Sequence, residues 1–240
     1  MKKTCFILAI IAAATLVAYF NLPIRFFIDG VFPFECQGSV VVYDDRSDGG
    51  ASVVSSEADE SSIRFTCALG ESEKGGWCGI LFDLREKDEA GFANRDWSFV
   101  DSVIVDLEAE GTSEILLKLW AFDPVVTDTN VARTYRLLMK ELPLVQGRQR
   151  VSIPMDQFYT PEFWYSDNRV DTSLVDRHQE AMVRLEIAPG WNQPHGKPFS
   201  LKIYKIEAKG LSNKVFGGVL FIMLVLTIVA VGRKHSVHHD

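Results

Sequence analysis

The side chains with the richest chemistry are a tryptophan and the charged residues that strand alternation places around it. In residues 115–122 the apolar set Ile115, Leu117, Leu119 and Ala121 leaves Lys118, Trp120 and Phe122 opposite, because side chains two apart share a strand face. In 181–188, Val183, Leu185 and Ile187 leave Arg184 and Glu186. In 134–141, Tyr135, Leu137 and Met139 leave Arg136 and Lys140, and 102–108 leaves Asp106 and Glu108. If these four stretches are neighbouring strands, one face gathers Asp106, Lys118, Trp120, Arg136, Arg184 and Glu186. A ring among charged hydrogen-bonding groups has the composition of a glycan platform. The same residues also suit a solvated face with cross-strand ion pairs, each worth ~0.2–1 kcal/mol. A large aromatic has little structural use on such a face, which tips the reading towards a ligand.

Other chemistries have thinner support. Asp44, Asp45 and Asp48 precede Gly49-Gly50; clustered oxygens can hold calcium, and an aspartate-rich turn bonded to its own backbone is the competing reading. No two carboxylates are paired in sequence as acid and base. His178 and His195 have no Ser or Cys nucleophile motif nearby, and no GxSxG, HExxH or phosphate loop occurs, so binding without turnover is expected. Cys67 and Cys78 flank a Gly-rich connection between two strand-like stretches. A disulfide there would clip a hairpin and contribute ~2–3 kcal/mol in the loop-entropy model; free buried thiols are the alternative. Cys36 is left odd, and no Cys/His spacing suggests zinc.

The elements that must position these groups are strands. Period-two alternation rich in β-branched and aromatic residues marks 39–44, 63–68, 77–84, 102–108, 115–122, 134–141, 148–154, 181–188 and 200–208. Turn residues punctuate them at Asp48-Gly49-Gly50, Glu110-Gly111-Thr112, Gln146-Gly147 and Pro189-Gly190. Nine short strands with little helix indicate an all-β fold, a jelly-roll β-sandwich. Residues 161–179 read as a long loop, of the kind that often carries function. Phe158 and Trp164 should pack beneath it.

The order of motifs resembles a known family. It runs Tyr43-Asp44-Asp45, Trp77-x-Gly79-Ile80-x-Phe82-x-Leu84 and Asp96-Trp97-Ser98-Phe99-Val100-Asp101-Ser102-Val103, followed by the strands at 117–122 and 134–138. Then come Arg150-Val151-x-Ile153-Pro154-Met155-x-x-Phe158-x-x-Pro161-x-Phe163-Trp164 and Leu201-x-Ile203-x-x-Ile206. Across nearly all of 38–210 this is similar to the galactose-binding-like jelly roll, in the branch with family-11-type carbohydrate-binding modules and complex I intermediate-associated proteins. The resemblance implies a sugar site on one sheet face. It also implies a structural calcium, whose acidic ligand near the last strand would be Glu207 here. The complex-I-associated branch implies a rival function, a non-catalytic protein-binding scaffold in envelope-complex assembly.

Two uncharged apolar runs, 4–20 and 215–232, bracket this domain, each about the length of a bilayer-spanning helix, which takes ~20 residues. Lys2 and Lys3 precede the first, and Arg233 and Lys234 follow the second. Basic flanks stay cytoplasmic, so the expected organisation is a signal anchor at 1–25, an extracytoplasmic domain at 30–210, a second span at 213–234 and a cytoplasmic tail at 235–240. The first run reads as an uncleaved anchor rather than a cleaved signal, because its apolar residues continue beyond Ala12-Ala13-Ala14. The expected location is the cell inner membrane, crossed twice, with a periplasmic domain and both termini in the cytosol. Output from a ligand sensor or capture domain of this kind would pass through a membrane partner. Of the chain's 25 basic and 32 acidic residues, six and two lie at the ends, leaving 19 against 30 in 30–210, or about −11. An acidic surface of that size repels nucleic acid and anionic headgroups.

Overall fold

A computed structural model describes residues 2–33, 39–59, 61–71, 75–88 and 91–236. Cys36 and residues 237–240 of the expected tail lie outside the described residues. The chain divides into two compact units, one of residues 29–208 and one of 1–28 with 209–240.

The strands are β1 (Phe26–Phe32), β2 (Val40–Asp44), β3 (Val53–Ala58), β4 (Ile63–Ala68), β5 (Cys78–Asp83), β6 (Glu86–Asp88) and β7 (Gly91–Ala93). They continue as β8 (Val100–Glu110), β9 (Glu114–Ala121), β10 (Arg136–Pro143), β11 (Gly147–Pro154), β12 (Met182–Pro189) and β13 (Phe199–Leu211). One sheet runs β11-β8-β13-β4-β3, with β1 also on β13, and the second runs β10-β9-β12-β5-β2. β6 and β7 form a separate hairpin. All nine expected strands are present, within a few residues of their expected bounds.

Two sheets face to face bury one side of each strand. Phe65, Val105, Leu107 and Leu201 from the first sheet meet Ile80, Phe82, Leu117, Leu119 and Leu185 from the second in one continuous core, all fully buried. The outer face of the second sheet carries another apolar cluster of Leu116, Leu137, Met139, Trp164 and Ala188. Helix α2 (Glu162–Asn168), set within the expected long loop, supplies Trp164 to it. Pro161 suits the position before the helix, where no donor is needed, and Arg169 ends it in the left-handed region with φ 55°. The loop beyond α2 is tied down by charge. Arg136 donates to the Leu174 carbonyl at 3.0 Å and Arg177 to the Phe158 carbonyl at 2.7 Å. Trp164 Nε1 donates to the Tyr135 carbonyl at 2.7 Å.

Two expectations are corrected by the topology. Cys67 and Cys78 do form a disulfide, with Cα atoms 6.6 Å apart. It clips no hairpin, however: β4 and β5 belong to different sheets, so the bond staples one sheet to the other. The alternation of β10 also has the opposite phase. Its register pairs Leu137 with Trp120 and Met139 with Lys118, and Arg136 with the core-facing Ala121. With α2 covering the outside, both faces of β10 are apolar, and periodicity alone does not fix which face is which.

The other unit holds two helices, α1 (Lys2–Asn21) and α3 (Asn213–Ser236), with Tyr19 and Phe216 rings 6.2 Å apart. Among the described residues one helix is long and apolar enough to cross a membrane, through the 20 residues Asn213–Gly232. The apolar part of α1, Phe6–Asn21, is shorter.

Candidate functional site

Glu186, on β12, organises the outer face of the second sheet. It is 5% exposed, and burial alone would push its carboxyl up. The positive charge of Lys118 and hydrogen bonds from Lys118, Tyr43 and Trp120 outweigh that and hold it below the usual carboxylate range. Lys118 Nζ lies 2.8 Å from Oε1 and Trp120 Nε1 lies 2.8 Å from Oε2. The Tyr43 hydroxyl also donates to Oε1. Burial, and then the adjacent Glu186 charge, keep the Tyr43 hydroxyl protonated well above its ordinary range. Tyr43 pairs with Gly79 across β2 and β5. A Cβ at Gly79 would stand 2.4 Å from the Tyr43 hydroxyl oxygen, so glycine there is what lets the ring lie flat over the strand.

Of the six residues expected to share one face, four are gathered: Lys118, Trp120, Arg184 and Glu186. Trp120 is half-buried, packs against the Leu116 cluster and is covered by the Arg184 guanidinium at 4.5 Å. Arg136 is fully buried in an ion pair with Asp123, Nη2 to Oδ2 2.6 Å, and lies 4.2 Å over the Trp164 ring. Asp106 is on the first sheet, where Arg148 grips it with two hydrogen bonds of 3.0 and 2.9 Å. Those bonds hold its carboxyl below the ordinary range. Alternation assigns a residue to a face, but does not assign the strand to a sheet.

Of the proposed calcium ligands, Asp44, Asp45 and Asp48 share one turn, and Glu207 lies on the other sheet. Asp44 accepts from the Arg46 backbone N–H and Nε at 3.1 and 2.8 Å. Asp48 lies in the short 3-10 turn Asp45–Asp48. Glu207, on the first sheet, takes Arg150 at 2.7 Å and pairs with Lys205. Asp45 is buried, accepting from Ser52 N at 2.9 Å, Ser52 Oγ at 2.7 Å and Trp77 N at 3.2 Å. Among the described residues no group of three or more metal-ligating side chains occurs. Asp45 fixes the backbone of Trp77.

Beyond Lys118 the outer face opens into a pit of about 220 Å³. Tyr43, Leu116, Lys118 and Ala188 form its floor. Three segments wall it: Phe163 from α2, Trp191 and His195 from the loop after β12, and Trp77 beside the disulfide. Trp191 is 61% exposed and Trp77 36%. Trp191 is positioned by Glu114, whose Oε1 accepts its backbone N–H at 3.1 Å, and by Glu141, whose Oε1 lies 3.4 Å from the indole nitrogen. Glu141 also accepts from the Tyr159 hydroxyl. Burial and that carboxylate push Tyr159 up to about 12. Gly190 lets the loop close, since a Cβ there would sit 2.7 Å from the Glu114 carbonyl oxygen. Sequence reading assigns Trp77 to a strand motif and leaves Trp191 unread; the available signal for Trp191 is an aromatic following the Pro189-Gly190 turn.

No protein-family model and no curated protein sequence matches the chain. Its fold has solved counterparts. The family 11 carbohydrate-binding module of a cellulosomal cellulase of Clostridium thermocellum is similar at TM-score 0.50 and 11% identity, over 79% of this chain and 96% of that one. The family 11 module from the same organism, in complex with a β-1,3-1,4-mixed-linked tetrasaccharide, is similar at TM-score 0.50 and 12% identity, over 79% and 98%. At such identities the likeness is one of fold: the β-sandwich of this chain is a jelly roll of the carbohydrate-binding-module kind.

Proposed function

We propose that residues 29–208 form a non-catalytic carbohydrate-binding domain that takes its ligand in the pit beside Lys118. The observation that carries this reading is the pair of exposed indoles, Trp191 and Trp77, flanking a floor that presents Lys118. Indoles stack on the apolar faces of sugar rings. Lys118 has three N–H donors and spends one on Glu186, leaving two for hydroxyls. Glu186 positions Lys118, while Trp120 and Arg184 form the packed backing of the site. The family 11 module solved with a tetrasaccharide lends the fold a precedent for such a ligand.

The domain is held at a membrane by α1 and α3, both termini on the cytosolic side, and acts as a sensor or capture module that hands its signal to a membrane partner. The apolar span Asn213–Gly232, the flanking Lys2, Lys3, Arg233 and Lys234, and the contact between Tyr19 and Phe216 support that arrangement. Charge at both ends fits a periplasmic domain on the inner membrane.

The test is a glycan array probed with the full chain in detergent micelles, followed by Trp191→Ala. Removing the stacking ring should cost ~1–3 kcal/mol of binding, about 5- to 150-fold in Kd. Its exposure predicts unfolding unchanged within ~0.5 kcal/mol. A blank array on folded protein would transfer the exposed aromatics to the scaffold reading, in which they meet a protein.

A further inference from the structure

We infer that the pit binds the end of a glycan chain rather than an internal stretch. The inference rests on the carbohydrate reading above. Its basis is the shape of the outer face. A site for internal chain segments is an open groove along or across the strands. Here the groove is blocked. Towards the Arg184 end the face is filled by packed side chains: Trp120 lies under the Arg184 guanidinium, and Trp164 of α2 is buried there, its indole nitrogen donating to the Tyr135 carbonyl and the Arg136 guanidinium 4.2 Å over its ring. Phe163, the neighbour of Trp164, stands at the boundary and lines the pit. The opposite side is walled by the Trp191–His195 loop and the third by Trp77.

The space that remains, about 220 Å³, falls below the ~300–1,000 Å³ of ordinary small-molecule clefts and suits roughly one or two sugar rings. The polar groups also suit a terminus. His195 Nδ1 lies 2.8 Å from the Gly70 carbonyl oxygen, which only accepts, so Nδ1 carries the hydrogen. In the neutral ring Nε2 is then an acceptor. A wall acceptor and the Lys118 donors on the floor can engage hydroxyls of one ring on two sides. A terminal residue has the additional free hydroxyl that an internal one has lost to its linkage.

The experiment is calorimetry on the full chain in detergent micelles. The probes are β-1,4-, β-1,3- and mixed-linked gluco-oligosaccharides, xylo-oligosaccharides and N-acetylglucosamine oligomers of one to six residues, with the matching soluble polymers. For the series that binds, affinity should be level within about twofold from the dimer to the hexamer, with one protein per polymer chain. Blocking the preferred terminus by methylation should abolish binding. Phe163→Ala, at an exposed wall position, should restore a preference for longer chains. A tenfold or greater gain from dimer to hexamer, or many proteins per polymer chain, would overturn the end-binding inference and leave the carbohydrate reading standing. No heat with any probe on folded protein would overturn both.

Discussion

Replacing Glu186 with Gln tests the hub of the candidate site. The carboxylate is 5% exposed and accepts from Lys118, Trp120 and Tyr43. Glutamine keeps the shape but removes the charge and turns one acceptor into a donor facing groups that already donate. Truncating one partner of a buried ion pair costs ~3–5 kcal/mol. The Lys118 side chain is 19% exposed and retains some water, so the expectation falls to about 2–3 kcal/mol once screening is allowed for. In a domain of this size each kcal/mol moves Tm by ~2–4 °C, which places the shift at roughly 4–12 °C. Thermal unfolding of the full chain in detergent, followed by tryptophan fluorescence, reads it. The pH dependence is a second check. The folded carboxyl is held below its unfolded range, so its contribution is complete above the unfolded value of ~4.3 and disappears as pH falls through the folded one. The gap between wild type and Glu186→Gln should therefore be full at pH 7 and narrow progressively below about pH 4. A Tm change under 1 °C, or a gap that is constant from pH 7 to pH 3, would refute the account of Glu186 as a charged hub.

Reduction of the Cys67–Cys78 disulfide, or its replacement by two serines, should lower stability by ~2–3 kcal/mol, read as Tm with and without dithiothreitol. The loss should be accompanied by weaker glycan binding, because Cys78 follows the pit residue Trp77 directly. Asp123→Ala strands the fully buried Arg136 and should cost ~3–5 kcal/mol in chemical denaturation. The double replacement with Arg136→Leu should recover most of that loss, since no unpaired charge then remains. Trp191→Ala should separate binding from folding, as set out above.

Much of the fold is legible in the sequence because alternation is a local property. Each strand declares its core face through residues such as Phe65, Phe82, Leu117 and Leu185. Sheet membership is not local. β4 and β5 are consecutive, and a Gly-rich connection between Cys67 and Cys78 reads naturally as a hairpin, yet the chain crosses from one sheet to the other there. The same gap misplaced Asp106. Arg136 was misassigned for another reason: Trp164 and α2 make the outer face apolar, so the polar residue in the alternation is the one turned inward to Asp123. Trp120 was correctly found on the outer face, but its cover, Arg184, comes from a cross-strand contact that no spacing reports. Trp191 was missed because it sits in an irregular loop, where periodicity carries no information.

The anchoring of Trp77 has a consequence for how fast and how tightly the pit can work. Its backbone N–H is held by buried Asp45, and the next residue is cross-linked to the opposite sheet. Trp191 is restrained on the other side by Glu114 and Glu141. Ordering mobile loops and side chains on binding costs free energy, and here the ordering of both backbone segments belongs to folding. On the proposed reading, a ligand would meet a wall whose backbone is already in place. Loosening these anchors should therefore leave the contacts of the bound state intact while slowing productive encounter and adding an entropic penalty, a signature distinct from removing an indole.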